Sequence, residues 1–144
     1  MPYKFLEDTA ISDVAFEARG KTLRELFESA ALAVTGTMVE DVGKIKQKKT
    51  KSIEVEAENL EMLLFKFLQE LIFYKDAELL LFNGFHFDII GQKKDTWHLR
   101  AEAYGEEIDP QSHDLLADVK AVSLHNFVVE ETPEGWRASV ILDV

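Results

Sequence analysis

Cysteine is absent from this 144-residue chain, which removes disulfides, thiolate zinc sites and a cysteine nucleophile together. Proline and glycine are scarce, 3 and 7 residues. No Pro/Gly/Ser-rich linker, repeat or low-complexity segment interrupts the chain, so one domain over residues 1–144 is expected, well filled with regular structure. Positive charge is also short: 16 Lys+Arg stand against 27 Asp+Glu, a formal net charge of -11. A field of that sign repels phosphates over much of the surface. Direct nucleic-acid binding is therefore not expected, and a basic partner protein or a cation is the easier companion. Long apolar runs are missing as well. MPYKFLEDTA has none of signal-peptide length. The most apolar stretch, Leu60 to Phe82, is broken by Glu61, Lys66, Gln69, Glu70, Lys75, Asp76 and Glu78, too many to cross a bilayer. The expectation is a cytoplasmic protein without a membrane partner.

Catalytic signatures are missing too. GKIKQKKTK lacks the strand-turn-helix setting and the GK[ST] ending of a phosphate loop, and HExxH, EF-hand and GxSxG patterns do not occur. His86, His98, His113 and His125 are scattered, each read as an ordinary surface or hydrogen-bonded core histidine. No catalytic residue is assigned, and the chain is not expected to be an enzyme.

What is present is clear periodicity. Val14, Phe16 and Ala18 alternate with Asp13, Ala15 and Glu17, a half-buried strand ending at Gly20. Thr22 and Glu25 form a capping box ahead of Leu23, Leu26, Phe27, Ala30, Val34 and Met38, which share one helical face. Ile53, Val55 and Ala57 mark a second strand, and its lysine-rich approach reads as a solvated edge that discourages sheet pairing. Asn59 caps a helix whose Leu60, Leu63, Leu64, Phe67, Leu68, Leu71 and Ile72 keep helical spacing, with Phe65, Phe73 and Tyr74 widening the apolar stripe. Phe85, Phe87 and Ile89, then Trp97, Leu99, Ala101 and Ala103, predict a hairpin across GQKKD. IDPQSHDLLAD reads as a loop. Residues 119–131 and 136–144 predict a last hairpin turning at TPEG. The order β-α-β-α-β-β-β-β implies an α+β domain, two helices packed on largely antiparallel β-sheet.

Two features stand apart. The strand pattern of WRASVILDV runs to the last residue of the sequence, which would set the backbone carboxylate of Val144 beside that of Asp143. Adjacent anionic groups held rigidly are comfortable near a hard cation, a lysine or an arginine, and a third carboxylate would complete a Ca²⁺ or Mg²⁺ cage. A simple solvated strand end is the competing reading. The second feature is EDTAISD, which crowds Glu7, Asp8 and Asp13 before an apolar strand; a polar turn is its ordinary explanation. Asp13 and Asp143 both stand at strand ends, opposite the apolar faces, which permits a meeting.

EDTA..DVAFEARG followed by TLRELFESAALAVTGTMV resembles the opening of the archease family. ENLEMLLFKFLQELIFYKDAELLLFNGF resembles that family's middle helix and following strand, and AYGEEID, DVKAVSLHNFVVEE and WRASVILDV resemble its closing segments, in the right order over essentially the whole chain. Two extra residues, Ile11 and Ser12, precede the aspartate aligned as Asp13, and Asp8 stands where the family has a histidine. The resemblance implies an accessory protein of the tRNA-splicing RNA ligase, which joins RNA ends with GTP and manganese; the accessory protein promotes guanylylation of the ligase. It also implies a divalent metal, calcium, held by Asp13, Asp143 and the carboxylate of Val144, with Lys120, His125 and Asp8 as supporting or partner-contacting residues. Two other readings remain: a small metal-dependent phosphoester hydrolase using the same carboxylates, and a general protein chaperone.

Overall fold

The computed structural model describes residues 2–6 and 13–144. In chain order the described residues form β1 (Tyr3–Leu6), β2 (Asp13–Gly20), α1 (Leu23–Met38), a short 3-10 helix (Val42–Lys44), β3 (Lys49–Ala57), α2 (Leu60–Glu78), β4 (Leu80–Lys93), β5 (Thr96–Glu107), β6 (Ala121–Thr132) and β7 (Gly135–Asp143). The strands make two sheets, β1-β2-β7-β6 and β3-β5-β4, and their pairings are antiparallel. The fold is α+β, as the periodicities imply.

Both helices pack against both sheets: α1 touches β2, β7 and β4, and α2 touches β3, β4, β5 and β6. Small residues let α1 sit this deep, since Ser29, Ala30, Ala31 and Ala33 are all buried beside Leu26, Phe27 and Val34. The helices meet the three-stranded sheet through aromatic rings. Phe27 of α1 stacks on Phe67 of α2 at 5.9 Å between centroids, and Phe67 meets Phe87 of β4 edge-on at 5.5 Å. Rings in such arrangements contribute about 0.5–1.5 kcal/mol beyond the area they bury.

Local chemistry explains the boundaries. Thr22 Oγ1 accepts the Glu25 N–H at 3.2 Å, but the returning Glu25 carboxylate accepts from Lys21 N–H at 2.6 Å, one residue earlier than a capping box predicts. Asn59 accepts the Met62 N–H at 2.8 Å and starts α2. The lysine-rich approach does lead into an edge strand, since β3 borders its sheet; Lys49 and Lys51 reach Glu107 and Glu78 at 2.6 and 2.7 Å.

Several elements differ from expectation. β1 was not foreseen; it is short and mostly exposed. Tyr3 fits over α1 at Gly36, where an added Cβ would lie 2.9 Å from the Tyr3 hydroxyl. β4 starts at Leu80 rather than Phe85, and its register shifts at Phe82/Gly84 and Phe87/Ile89. The second bulge turns Ile89 outward and Ile90 toward the core, so the alternation read through Ile89 breaks there. Phe73, assigned to the apolar stripe, is exposed. β6 begins at Ala121, two residues later than predicted.

Candidate functional site

The four-stranded sheet brings the first residue of β2 to the last residue of β7. Asp13 is the direct cross-strand partner of Asp143, and Asp143 faces Ala121 of β6 on its other side. Burial dictates this register. Val14, Phe16 and Ala18 stand opposite Leu142, Val140 and Ala138, and all but the half-buried Val14 are wholly buried. With a side-chain period of two, both aspartates fall on the opposite, outward face. A one-residue slip would exchange apolar and charged sets. Directly opposed side chains in antiparallel sheet have Cβ atoms about 4.5–5.5 Å apart, and like charges there repel. The pair thus concentrates negative charge on hard oxygen donors, and Val144 follows Asp143 directly. That donor set suits a calcium-class cation. Among the described residues, no group of three or more His, Cys, Asp and Glu side chains is placed to hold a metal.

The segment leading into β6 closes the third side. Lys120 donates its backbone N–H to the Asp143 carbonyl at 2.8 Å, while its side chain is exposed. His125 is also exposed, inside the β6 irregularity between Ser123 and Val128, and its N–H donates to Ser123 Oγ at 3.0 Å. Asp8, and Glu7 beside it, lie outside the described residues.

Two clusters missed in the sequence fix this segment. Lys75 of α2 is only 4% exposed. Its Nζ donates to Asp118 Oδ1 at 2.5 Å and to the Val119 carbonyl at 2.7 Å, and it pairs with Asp76 at 2.6 Å. Burial pulls its pKa down, but the hydrogen bonds and charges of Asp118 and Asp76 outweigh burial and hold it above the ordinary value, so the ammonium stays charged. A signal was available: Lys75 follows Leu68, Leu71 and Ile72 at helical spacing and so belongs to the buried face. The second cluster is His113, 3% exposed. Its Nδ1 accepts the Asp109 N–H and its Nε2 lies 2.9 Å from Glu106 Oε2, an arrangement that puts the ring proton on Nε2. The Lys46 backbone N–H, followed by His113, holds the Glu106 carboxyl below the usual range. His113 is the hydrogen-bonded core histidine that the scattered spacing suggested.

A cavity of about 610 Å³ lies elsewhere, on the outward face of the three-stranded sheet, between Glu54, Glu56, Ile89, Gly91, His98 and Arg100. It includes neither aspartate.

Fold and site together define an antiparallel α+β domain that gathers carboxylates from two strand ends at one end of a sheet. The chain belongs to the archease protein family, whose pattern matches residues 3–144. The archease of Pyrococcus furiosus is 41% identical over 143 residues, covering 99% of this chain and 98% of that protein; that of Methanosarcina acetivorans is 34% identical, covering 99% and 95%. Among solved structures, protein 1598 of Methanobacterium thermoautotrophicum superposes with a TM-score of 0.84 at 35% identity, over 99% of both chains. A Thermotoga maritima archease, described as a possible chaperone, has a TM-score of 0.61 at 15% identity over 96% of both chains and shares the fold. Among the described residues, no helix is long and apolar enough to cross a membrane.

Proposed function

We propose that this protein is a cytoplasmic accessory protein of the tRNA-splicing RNA ligase, promoting GTP-dependent guanylylation of the ligase through a carboxylate-held divalent cation. Membership of the archease family supports the role. The observation that carries the site is the register that sets Asp13 directly opposite Asp143. Asp13, Asp143 and the carboxylate of Val144 would hold the cation, with calcium the best match to three hard oxygen groups. When bound, it supplies positive charge able to meet phosphate oxygens. The chain's own residues do the rest. Hydrogen bonding of Lys120 to Asp143 fixes the position of the last strand, and the exposed Lys120 and His125 side chains are available to the partner. The acidic surface complements a protein built to hold RNA. No nucleophile or general base of this chain is assigned a part.

The test is single-turnover guanylylation of the ligase with GTP and manganese, with and without this protein. Wild type should accelerate it, and Asp13→Ala with Asp143→Ala should return the rate to that of the ligase alone. Stimulation that persists in the double variant refutes the role of the carboxylates. Phosphoester turnover by the isolated protein, lost in Asp143→Ala, would instead favour a hydrolase.

A further inference from the structure

Asp143 lies at a corner of the four-stranded sheet. β7 ends there, and its neighbour on one side is β6, an edge strand that itself begins only at Ala121. Strand ends at such a corner have the fewest partners and open at the lowest free energy. The spacing of Asp13 and Asp143 nevertheless depends on this corner, because the two aspartates stand on different strands and β7 must keep its place between β2 and β6.

Two side chains of α2 reach the edge strand here. Lys75 Nζ donates to the Val119 carbonyl at 2.7 Å and also to Asp118, and Gln69 Oε1 accepts the Val122 N–H at 2.9 Å. Between these two ties the Lys120 N–H donates to the Asp143 carbonyl at 2.8 Å, and Ala121 pairs with Asp143. One helix thus holds the backbone on both sides of the residues that hold Asp143. Apolar burial does not replace these bonds. Val119 and Val122 are buried, which seats the segment, but burial is non-directional. Hydrogen bonds aim its carbonyl and amide groups, since they weaken steeply with angle.

We infer that Lys75 and Gln69 are positioning residues of the carboxylate site: from α2 they fix residues 119–122, which fix the Asp143 end of β7 opposite Asp13. This rests on the divalent-cation reading above. Neither side chain is a ligand; both act through the backbone of Lys120 and Asp143. Donors held in place before a cation arrives lose less freedom on binding it. Groups that orient ligands in this way change metal affinity about 10–100-fold when removed.

The experiment is calcium titration calorimetry, with amide hydrogen exchange on the metal-free protein, for wild type, Lys75→Met, Gln69→Ala and a control, Ile53→Val. Lys75→Met keeps the length of the side chain and removes the ammonium. Ile53 is a buried residue of β3, in the other sheet, so its variant loses stability without touching the corner. In Lys75→Met and Gln69→Ala the Lys120 amide should exchange about tenfold faster or more while β3 and β5 amides keep their rates, and calcium should bind about tenfold more weakly or worse. Ile53→Val should bind calcium as wild type does. Should Lys75→Met fail to fold, Gln69→Ala decides. Wild-type affinity in the folded variants overturns the positioning role and leaves the cation reading standing. An equal loss of affinity in Ile53→Val, with exchange raised in β3 and β5 of every variant, would reduce the effect to general stability and also overturn it. No calcium binding by wild type removes the cation reading, and this inference with it.

Discussion

The two ends of the four-stranded sheet are built on opposite principles. At the end where β2 stops and β7 starts, backbone meets backbone with no room. A Cβ on Gly20 would lie 2.3 Å from the Leu26 nitrogen, and one on Gly135, at φ 140°, would lie 2.5 Å from the Gly20 carbonyl oxygen. Charges nearby are matched: Arg137 pairs with Glu130 at 2.7 Å and Glu17 at 3.5 Å, and Arg19 pairs with Glu17 at 2.8 Å. At the other end, two aspartates face each other across the same pair of strands. One end is closely packed backbone against backbone; the other sets two aspartates directly opposite each other at the strand ends.

Substitution at the packed end should have the largest effect. Gly20→Ala should destabilise the protein by about 3 kcal/mol, because the obstructing atoms are backbone and cannot swing aside. Urea denaturation measures this, and calcium binding by the folded fraction should persist. At the other end, Asp143→Asn, an isosteric change at an exposed strand end, should change metal-free stability by only about 1 kcal/mol or less. The rise in Tm on adding calcium should disappear with it. A stability loss like that of Gly20→Ala would erase the contrast between the ends. The smallest effect concerns Glu106, near the end of β5. The folded-state pKa of Glu106 lies below its unfolded value, chiefly through the Lys46 N–H and then His113. Its contribution is therefore complete above the ordinary carboxylate range and fades as pH falls through the folded-state pKa. Glu106→Gln should show a shallower decline of Tm on acidification below about pH 5 than wild type, while Asp143→Asn should not share that change.

Legibility in the sequence followed periodicity. The two helices, their caps at Thr22 and Asn59, and the alternation in β2, β5 and β7 were visible because burial on one face imposes its period directly. The same alternation put Asp13 and Asp143 on outward faces at strand ends, and the family resemblance singled them out. What escaped had no periodic trace. β1 has four residues and little burial; the bulge before Ile89 inserts a residue that alternation cannot anticipate. Lys75 looked like a polar interruption until its partners Asp118 and Val119, 43 and 44 residues away, were in place.

The sequence alone determined the element types, the acidic character and the family, because these depend on local spacing, composition and motif order. Tertiary structure alone decided that the strands divide into two sheets and that Asp13 lies opposite Asp143. It also set Leu115 and Leu116 beside the end of α1, where Leu116 N–H meets the Met38 carbonyl. Each of these depends on which distant segments meet, and that is settled by burying both helices between apolar faces rather than by any nearest-neighbour preference.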